Sequence, residues 1–371
     1  VNTRLLIKDK LDGIGVFTLE TLRILTKKHP ECRFYFLFDR KFDPDFIFSG
    51  NITPVVLFPQ ARHPFLFYWW FEYSVPKVLK KIKPDLFLST DGYLSLKTGT
   101  KTLDIIHDLN FEHYPKDIPL LNRVFYKFFF PRYARKATRI ATVSEFSKND
   151  IAELYGINKN KIDVVYNGVS EIFQPVSETI KRATREKYTA GNEYFLFVSS
   201  LLPRKNLANL FKAFDLFKSQ NQNSVKLLIV GHKRWWSKEM EAVFENMQHK
   251  NDVIFAGRLK DKELSEVMSS AIALTYVSYF EGFGIPILEA FQCKTPVLCS
   301  DITSMPEIAG DAALLVNPFS PDEISDAMGR IFSDKDLRIS LVDKGNERVR
   351  NFSWEKTADM LWDSILKTIN S

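Results

Sequence analysis

Cysteine is scarce in this sequence. Its three cysteines, Cys32, Cys293 and Cys299, are widely spaced, odd in number and never paired as Cys-x-x-Cys. That counts against both a disulfide framework and a zinc site, and a reducing, cytoplasmic compartment is expected. Long apolar runs are missing too: nothing reaches the roughly 18 residues that a membrane-spanning helix needs, and the opening "VNTRLLIKDKLDG" lacks the hydrophobic region of a signal peptide. Charge of one sign never gathers into a block, so with a net charge of +6 no nucleic-acid partner is expected. A third glycine is also absent. "LLIKDKLDGIGVFTLETLRIL" carries Gly13 and Gly15, but Thr18 stands where Gly-x-Gly-x-x-Gly would place the next one, which disfavours a nicotinamide enzyme.

Phenylalanine, by contrast, is abundant, with 32 residues crowded toward the first half. Two stretches, 63–84 and 123–139, interleave aromatics with Lys and Arg, as a surface resting on an anionic membrane would. An aromatic core with a solvated basic face reads the same way, and both readings stand. With 45% apolar and 26% charged residues the chain is of globular type, and its 371 residues suit two domains better than one core.

Short β-branched or aromatic runs alternate with amphipathic stretches, the pattern of α/β units with a parallel sheet. In the first half strands are expected at 4–8, 33–39, 54–59, 85–90, 101–107, 139–144 and 161–168. After a linker and a short charged helix, a second series follows at 193–200, 225–231, 252–257, 271–276, 295–300 and 312–317, and three helices close the chain. The expected architecture is two Rossmann-like, doubly wound parallel-sheet domains, residues 1–170 and 171–353, with a last helix over 354–371. Such sheets bind ligands beyond the carboxyl ends of their strands, so a cleft faced by both domains is the expected place for a site.

"YFEGFGIPILEA" ends a strand, turns on Gly282 and Gly284, and opens a helix with Pro286 in its first turn. A helix N-terminus with bare amides suits a phosphate or a developing negative charge. Glu289, in the second turn, offers an acceptor-only carboxylate to the paired hydroxyls of a ribose or hexose, while Glu281 stands nearer the mouth. "SSLLPRKN" sets Arg204 and Lys205 at the end of the second domain's first strand, two fixed cations for a departing diphosphate. In the first domain the Gly13 to Gly15 turn is expected to bare backbone amides, and "LDIIHDLNFEHYP" puts His107 and Asp108 at a strand's carboxyl end. Asp43 and Asp45 in "DRKFDPDF" have no third oxygen ligand nearby in sequence, and no metal is expected there.

Taken in order, "DGIGVFTLE", "IIHDLNFEHYP", "ATVSEFSKNDI", "FVSSLLPRKNLANLFKAF" and "EGFGIPILEAFQCKTPVLCSDITSMPEIAGDAALLVNP" resemble the retaining nucleotide-sugar glycosyltransferases of family 4, which have the GT-B fold. Among these, the mannosyltransferases of surface-polysaccharide assembly are the most similar. The resemblance implies that Glu289 binds the ribose hydroxyls, that Glu281 meets the donor sugar, and that Arg204 and Lys205 hold the diphosphate. It also implies that the main chain of Phe283, Gly284, Ile285 and Pro286 contacts sugar and phosphate, and that groups near Leu259 read the base. From the first domain, the Gly13 to Gly15 loop would approach phosphate and acceptor, and His107 a far hydroxyl of the donor sugar. The last helix, from about Trp354, is expected to pack back on the first domain. Asp12 departs from the common pattern, since it stands where another glycine usually does.

The implied reaction moves a hexose, mannose from GDP-mannose in preference to a UDP-sugar, to a sugar or lipid-linked acceptor in surface-polysaccharide or glycolipid assembly. Glu281, His107, Arg204 and Lys205 are the residues expected to take part in the chemistry. The nucleotide-sugar is a co-substrate; no resident cofactor and no metal are expected, because Arg204 and Lys205 would carry the leaving group's charge. A lipid-linked acceptor would bring the protein to the inner face of the cytoplasmic membrane. Two other readings are a nucleotide-sugar epimerase of the same architecture and a non-catalytic nucleotide-sugar-binding protein. Replacing Lys205 with Ala is expected to lower turnover far more than stability.

Overall fold

A computed structural model describes residues 1–232 and 236–371, and the chain divides into two units, Val1–Gly168 with Ser353–Ser371, and Val169–Phe352. In the first unit the strands are β1 (Phe34–Phe38), β2 (Ile52–Val56), β3 (Phe87–Ser89), β4 (Thr102–Ile105), β5 (Arg139–Thr142) and β6 (Ile162–Val164). All pair in parallel, β1 with β2 and β3 through β6 in order. Asn2 joins the two groups, bridging in parallel to Leu37 on one side and Ser89 on the other. Residues of β3 and β4 are buried consecutively, not alternately, as in a sheet covered on both faces.

The strand expected over 4–8 does not form. Residues 1–3 hold that lane, and hydrogen bonds from Leu6 to Thr3 and from Lys10 to Ile7 turn the chain immediately afterwards. Arg4 accounts for the early turn: its buried guanidinium meets Asp91 at 2.7 Å and lies over the ring of Tyr93 at 4.4 Å, so the side chain is drawn inward where the strand would have continued. Asp12 then caps the helix Gly13–Lys28. The last helix, Trp354–Asn370, lies along it, with Trp354 edge-on to Phe17, Trp362 stacked on His29 at 3.5 Å, and Lys28 paired with Asp359 at 2.5 Å. Gly168 touches the start of that last helix so closely that a Cβ would stand 2.3 Å from the Trp354 nitrogen.

The two aromatic and basic segments prove to be helical. Pro64–Trp69 runs through a widened turn at Trp70–Ser74 into Val75–Ile82. Pro76 explains the widening, because it has no N–H for the carbonyl four residues back and its ring crowds that carbonyl. Leu120–Lys136 is the second helix. Phe67, Trp70 and Phe71 of the first and Phe125, Phe130 and Tyr133 of the second enter the core. Other aromatic positions of the same helices stay exposed, so each segment is core on one face and surface on another. Among the described residues no helix is long and apolar enough to cross a membrane.

The second unit has strands β7 (Tyr194–Val198), β8 (Lys226–Val230), β9 (Val253–Gly257), β10 (Ala273–Tyr276), β11 (Val297–Ser300) and β12 (Ala313–Val316). They form one parallel sheet in the order β12-β11-β10-β7-β8-β9. Phe195, Phe197, Phe211, Phe214 and Phe217 fill its core. The winding reverses between β7 and β10, so the loops after these two neighbours part to opposite sides. That leaves a crevice at their carboxyl ends.

Candidate functional site

The loops after β7 and β10 bring together the residues that the sequence marks in the second unit. A short turn, Pro203–Lys205, follows β7 and ends on Asn206 in the left-handed region, with φ of 62°. The Asn206 amide donates to the carbonyls of Val277 at 2.9 Å and Pro318 at 2.6 Å, which ties the turn to the loops after β10 and β12. Held there, Arg204 donates through Nη1 to Glu281 Oε2 at 3.0 Å and to the Phe280 carbonyl at 2.9 Å. Lys205 Nζ bonds the other Glu281 oxygen and donates to the Tyr276 hydroxyl at 3.2 Å. Two cations thus share one carboxylate, all three nearly out of solvent. Burial works to raise the Glu281 pKa, but the Lys205 and Arg204 charges outweigh it and hold the carboxyl at about 2.

Gly284 stands at the N-cap of the helix Ile285–Gln292 with φ of 109° and has no side chain with which to cap it. Pro286 has no N–H and the Ile287 N–H bonds back to the Gly284 carbonyl at 3.0 Å, so the uncapped Gly284 and Ile285 amides, beside the cation pair, make a favourable place for an anion. The loop leading in is fixed from below: Ser304 Oγ donates to the Glu281 carbonyl at 3.0 Å and the Phe283 carbonyl at 2.9 Å, and Phe283 packs edge-on to Phe352. Pro286 occupies the first turn, and Ile285 beside it is half-buried. Glu289, one turn further on, is half-buried. Burial and the charge of Asp261 push its carboxyl up to about 8. Asp261 opens the helix Asp261–Ser270, two residues after half-buried Leu259 in the loop that follows β9.

In the first unit the glycine loop is less open than its sequence implies. Asp12 Oδ1 accepts from the Gly15 amide at 3.0 Å, so that amide is not bare; the departure from glycine at position 12 is what closes it. Gly13 faces open space where a side chain would begin. His107 follows β4 and places Nε2 at 3.0 Å from the Thr90 carbonyl, edge-on to Phe17 of the glycine-loop helix. A carbonyl only accepts, so Nε2 carries the hydrogen and Nδ1 is left as an acceptor. Burial lowers the His107 pKa against the opposing pull of the Thr90 bond and the charges of Asp108, Asp91 and Asp12. The neutral ring is therefore the resting form. Asp43 caps a short turn, and it and Asp45 pair with Lys8 at 3.0 and 2.8 Å. Among the described residues no group of three or more His, Cys, Asp or Glu is placed to hold a metal ion.

Residues that sequence reasoning overlooked are the ones that hold the others. Tyr276 supports Lys205, Ser304 supports the Glu281 loop, Asn206 anchors the cation turn, and the charge of Asp261 adds to burial in raising the Glu289 pKa. Asn206 was findable, since asparagine before a helix is a natural left-handed residue. Ser304 and Asp261 lie more than twenty residues from what they influence, and only the fold brings them near.

A parallel α/β sheet with cations and an uncapped helix N-terminus at its switch point is the kind of fold and site suited to an anionic ligand. The family comparisons narrow that class. Residues 11–171 match the Glycosyltransferase Family 4 domain and residues 180–348 match Glycosyl transferases group 1, together most of the chain. The chain belongs to the family 4 glycosyltransferases of GT-B fold. It is 31% identical over 220 residues to O-antigen chain mannosyltransferase B of Escherichia coli, covering 59% of this chain and 58% of that one. With O-antigen chain mannosyltransferase RfbU of Salmonella typhimurium it shares 29% over 252 residues, 67% of this chain and 66% of the relative. The match thus spans less than two thirds of either relative. In fold it resembles sucrose-phosphate synthase of Thermosynechococcus elongatus, with a TM-score of 0.78 at 19% identity over 96% of this chain and 94% of that one. Anabaena HepE, solved with UDP and glucose, gives 0.75 at 17% identity over 96% of both chains.

Proposed function

We propose that this protein transfers a hexose from a nucleoside-diphosphate sugar to a hydroxyl of a glycan or lipid-linked glycan, with retention of anomeric configuration, in the assembly of a surface polysaccharide. The observation that carries the reading is the Arg204, Lys205 and Glu281 cluster beside the uncapped start of the Ile285–Gln292 helix. Mannose, carried by GDP, is the preferred donor group; support comes from the two O-antigen mannosyltransferases to which the chain is similar.

In this reading the diphosphate enters against Arg204, Lys205 and the bare amides of Gly284 and Ile285, and displaces Glu281 from part of its ion pairing. The released carboxylate then accepts from a hydroxyl of the donor sugar, and Glu289 accepts from the ribose. His107 Nδ1 accepts from another sugar hydroxyl, and the main chain near Leu259 faces the base. As the bond from the anomeric carbon to the phosphate oxygen breaks, negative charge grows where the two cations stand. The acceptor oxygen bonds to that carbon on the same face, and its proton passes to the departing phosphate. No resident cofactor takes part, and the charge that a metal carries in other transferases falls here to Arg204 and Lys205, so EDTA is expected to leave the rate unchanged. The lipid-linked form of the acceptor would place the reaction at the cytoplasmic face of a membrane.

The test is incubation with GDP-mannose and a mannose-terminated acceptor, followed by NMR of the new anomeric centre. An α-linked product from the α-linked donor supports the reading. A β-linked product overturns retention, and isomerised donor without transfer overturns the transferase.

A further inference from the structure

Two helical stripes of the first unit face water with large apolar side chains. Phe65, Trp69 and Tyr73 recur every fourth residue along the first aromatic segment, and Leu120, Val124 and Phe128 do the same along the helix Leu120–Lys136. Spacing of four keeps each set on one side of its helix. All six are exposed, Phe65 to 74% and Leu120 to 66%, while Phe67, Trp70, Phe71 and Phe125 on the other sides fill the core. The segments are neighbours, with Tyr68 against Phe129 and Phe67 against Phe125, both at 5.8 Å between ring centroids. Phe58, also 74% exposed, shares a groove with Phe65, Leu66 and Trp69.

Exposed charge on the two segments themselves has one sign. Between residues 62 and 83 stand Arg62, Lys77, Lys80, Lys81 and Lys83, and the only acid, Glu72, is buried and accepts from the Leu96 amide. The helix Leu120–Lys136 holds five Arg and Lys and no acid. Lys97 lies 3.8 Å over the Tyr73 ring and Arg132 lies 3.6 Å over Phe128, so cations sit directly on the aromatic stripes.

We propose that this face docks on the surface of an anionic lipid bilayer. The aromatic stripes would lie among the headgroups while the surrounding Lys and Arg meet lipid phosphates. A second copy of the chain fits poorly, because two-fold pairing would set the same basic residues of both copies against each other. A nucleic acid would answer the charge and could stack on the rings, but would leave the exposed aliphatic Leu120 and Val124 without a partner, and an acidic protein would need an apolar stripe of its own to match them. A bilayer surface satisfies both. The inference rests on this surface alone and does not depend on the donor chemistry.

Co-sedimentation of the full chain with phosphatidylcholine vesicles, with and without phosphatidylglycerol, tests it. The expected result is about tenfold or greater preference for the anionic vesicles, weakened by salt. The Phe65→Ser, Trp69→Ser, Phe128→Ser triple variant is expected to lose about tenfold in binding, and the Lys77→Gln, Lys80→Gln, Lys81→Gln variant to lose the anionic preference. Both should keep the wild-type melting temperature and nucleotide-induced thermal shift, which separates loss of docking from loss of fold or donor site. Equal binding to the two vesicles, no binding, or variants that bind like wild type would overturn the proposal. So would a wild-type dimer in sedimentation velocity that the aromatic variant dissolves.

Discussion

Glu281 and Glu289 are the same residue type on one loop-helix segment, yet their surroundings drive them apart. Glu281, between two cations, is held at about 2, whereas Glu289, half-buried beside Asp261, rises to about 8. The depressed group stabilises the fold above its unfolded value of roughly 4.3, and that contribution disappears as pH falls toward about 2. The raised group acts oppositely: its ionisation opposes folding increasingly as pH climbs from about 4.3 through about 8. Glu289→Gln is therefore expected to melt higher than wild type at pH 9 and level with it near pH 4, as read by differential scanning calorimetry. If Glu289 accepts from ribose hydroxyls, ligand favours its charged form and releases a proton, so nucleotide affinity should rise with pH and level off above about 8. Titration calorimetry should show that rise in wild type and a flat profile in Glu289→Gln. Lys205 is buried on Glu281, so Lys205→Ala is expected to cost about 2 kcal/mol of stability besides its larger effect on turnover, less than the ~3–5 kcal/mol of a fully orphaned buried charge because Arg204 still faces Glu281. Urea denaturation measures it. The pairing of Arg204, Lys205 and Glu281 was legible only as a shared strand-end location; that they neutralise one another needed the fold.

Among the elements, the turn before the Ile285–Gln292 helix depends on Gly284. Its φ of 109° lies where L residues are strained, and an added Cβ would come within 3.2 Å of Ile287 Cδ1. Gly284→Ala is expected to destabilise by about 1–2 kcal/mol and to weaken nucleotide binding by more than its effect on stability predicts, because the amides would be re-aimed. Comparing the melting temperature with the nucleotide dissociation constant decides this. Strands of the second unit could be read almost to their ends, since continuous buried runs such as "YFLFV" have one reading in an α/β pattern. The opening strand could not. "RLLIK" has the composition of a strand, but Arg4 turns inward to Asp91, a partner far along the chain that no local pattern reveals. For the same reason the aromatic helices were ambiguous: their composition mixes a core stripe with an exposed one, and only packing assigns each residue to a side.

At the scale of the whole molecule, the last helix returns to the first unit, and Gly168 marks where it is received. Gly168→Val would drive a branched side chain into the Trp354 backbone. The expected cost is about 3 kcal/mol, confined to melting of the first unit, with the nucleotide response of the second retained. Calorimetry with and without nucleotide distinguishes the two. The central claim, that the second unit binds the nucleotide of a sugar donor through Arg204, Lys205 and Glu289, is tested most directly by thermal shift. Wild type and Glu289→Ala would be run against GDP, UDP, ADP and their common sugars. A single nucleotide class that stabilises wild type and fails to stabilise Glu289→Ala is the result predicted, with GDP and GDP-mannose the expected pair. Absence of any shift in wild type, or an equal shift in both proteins, would contradict it.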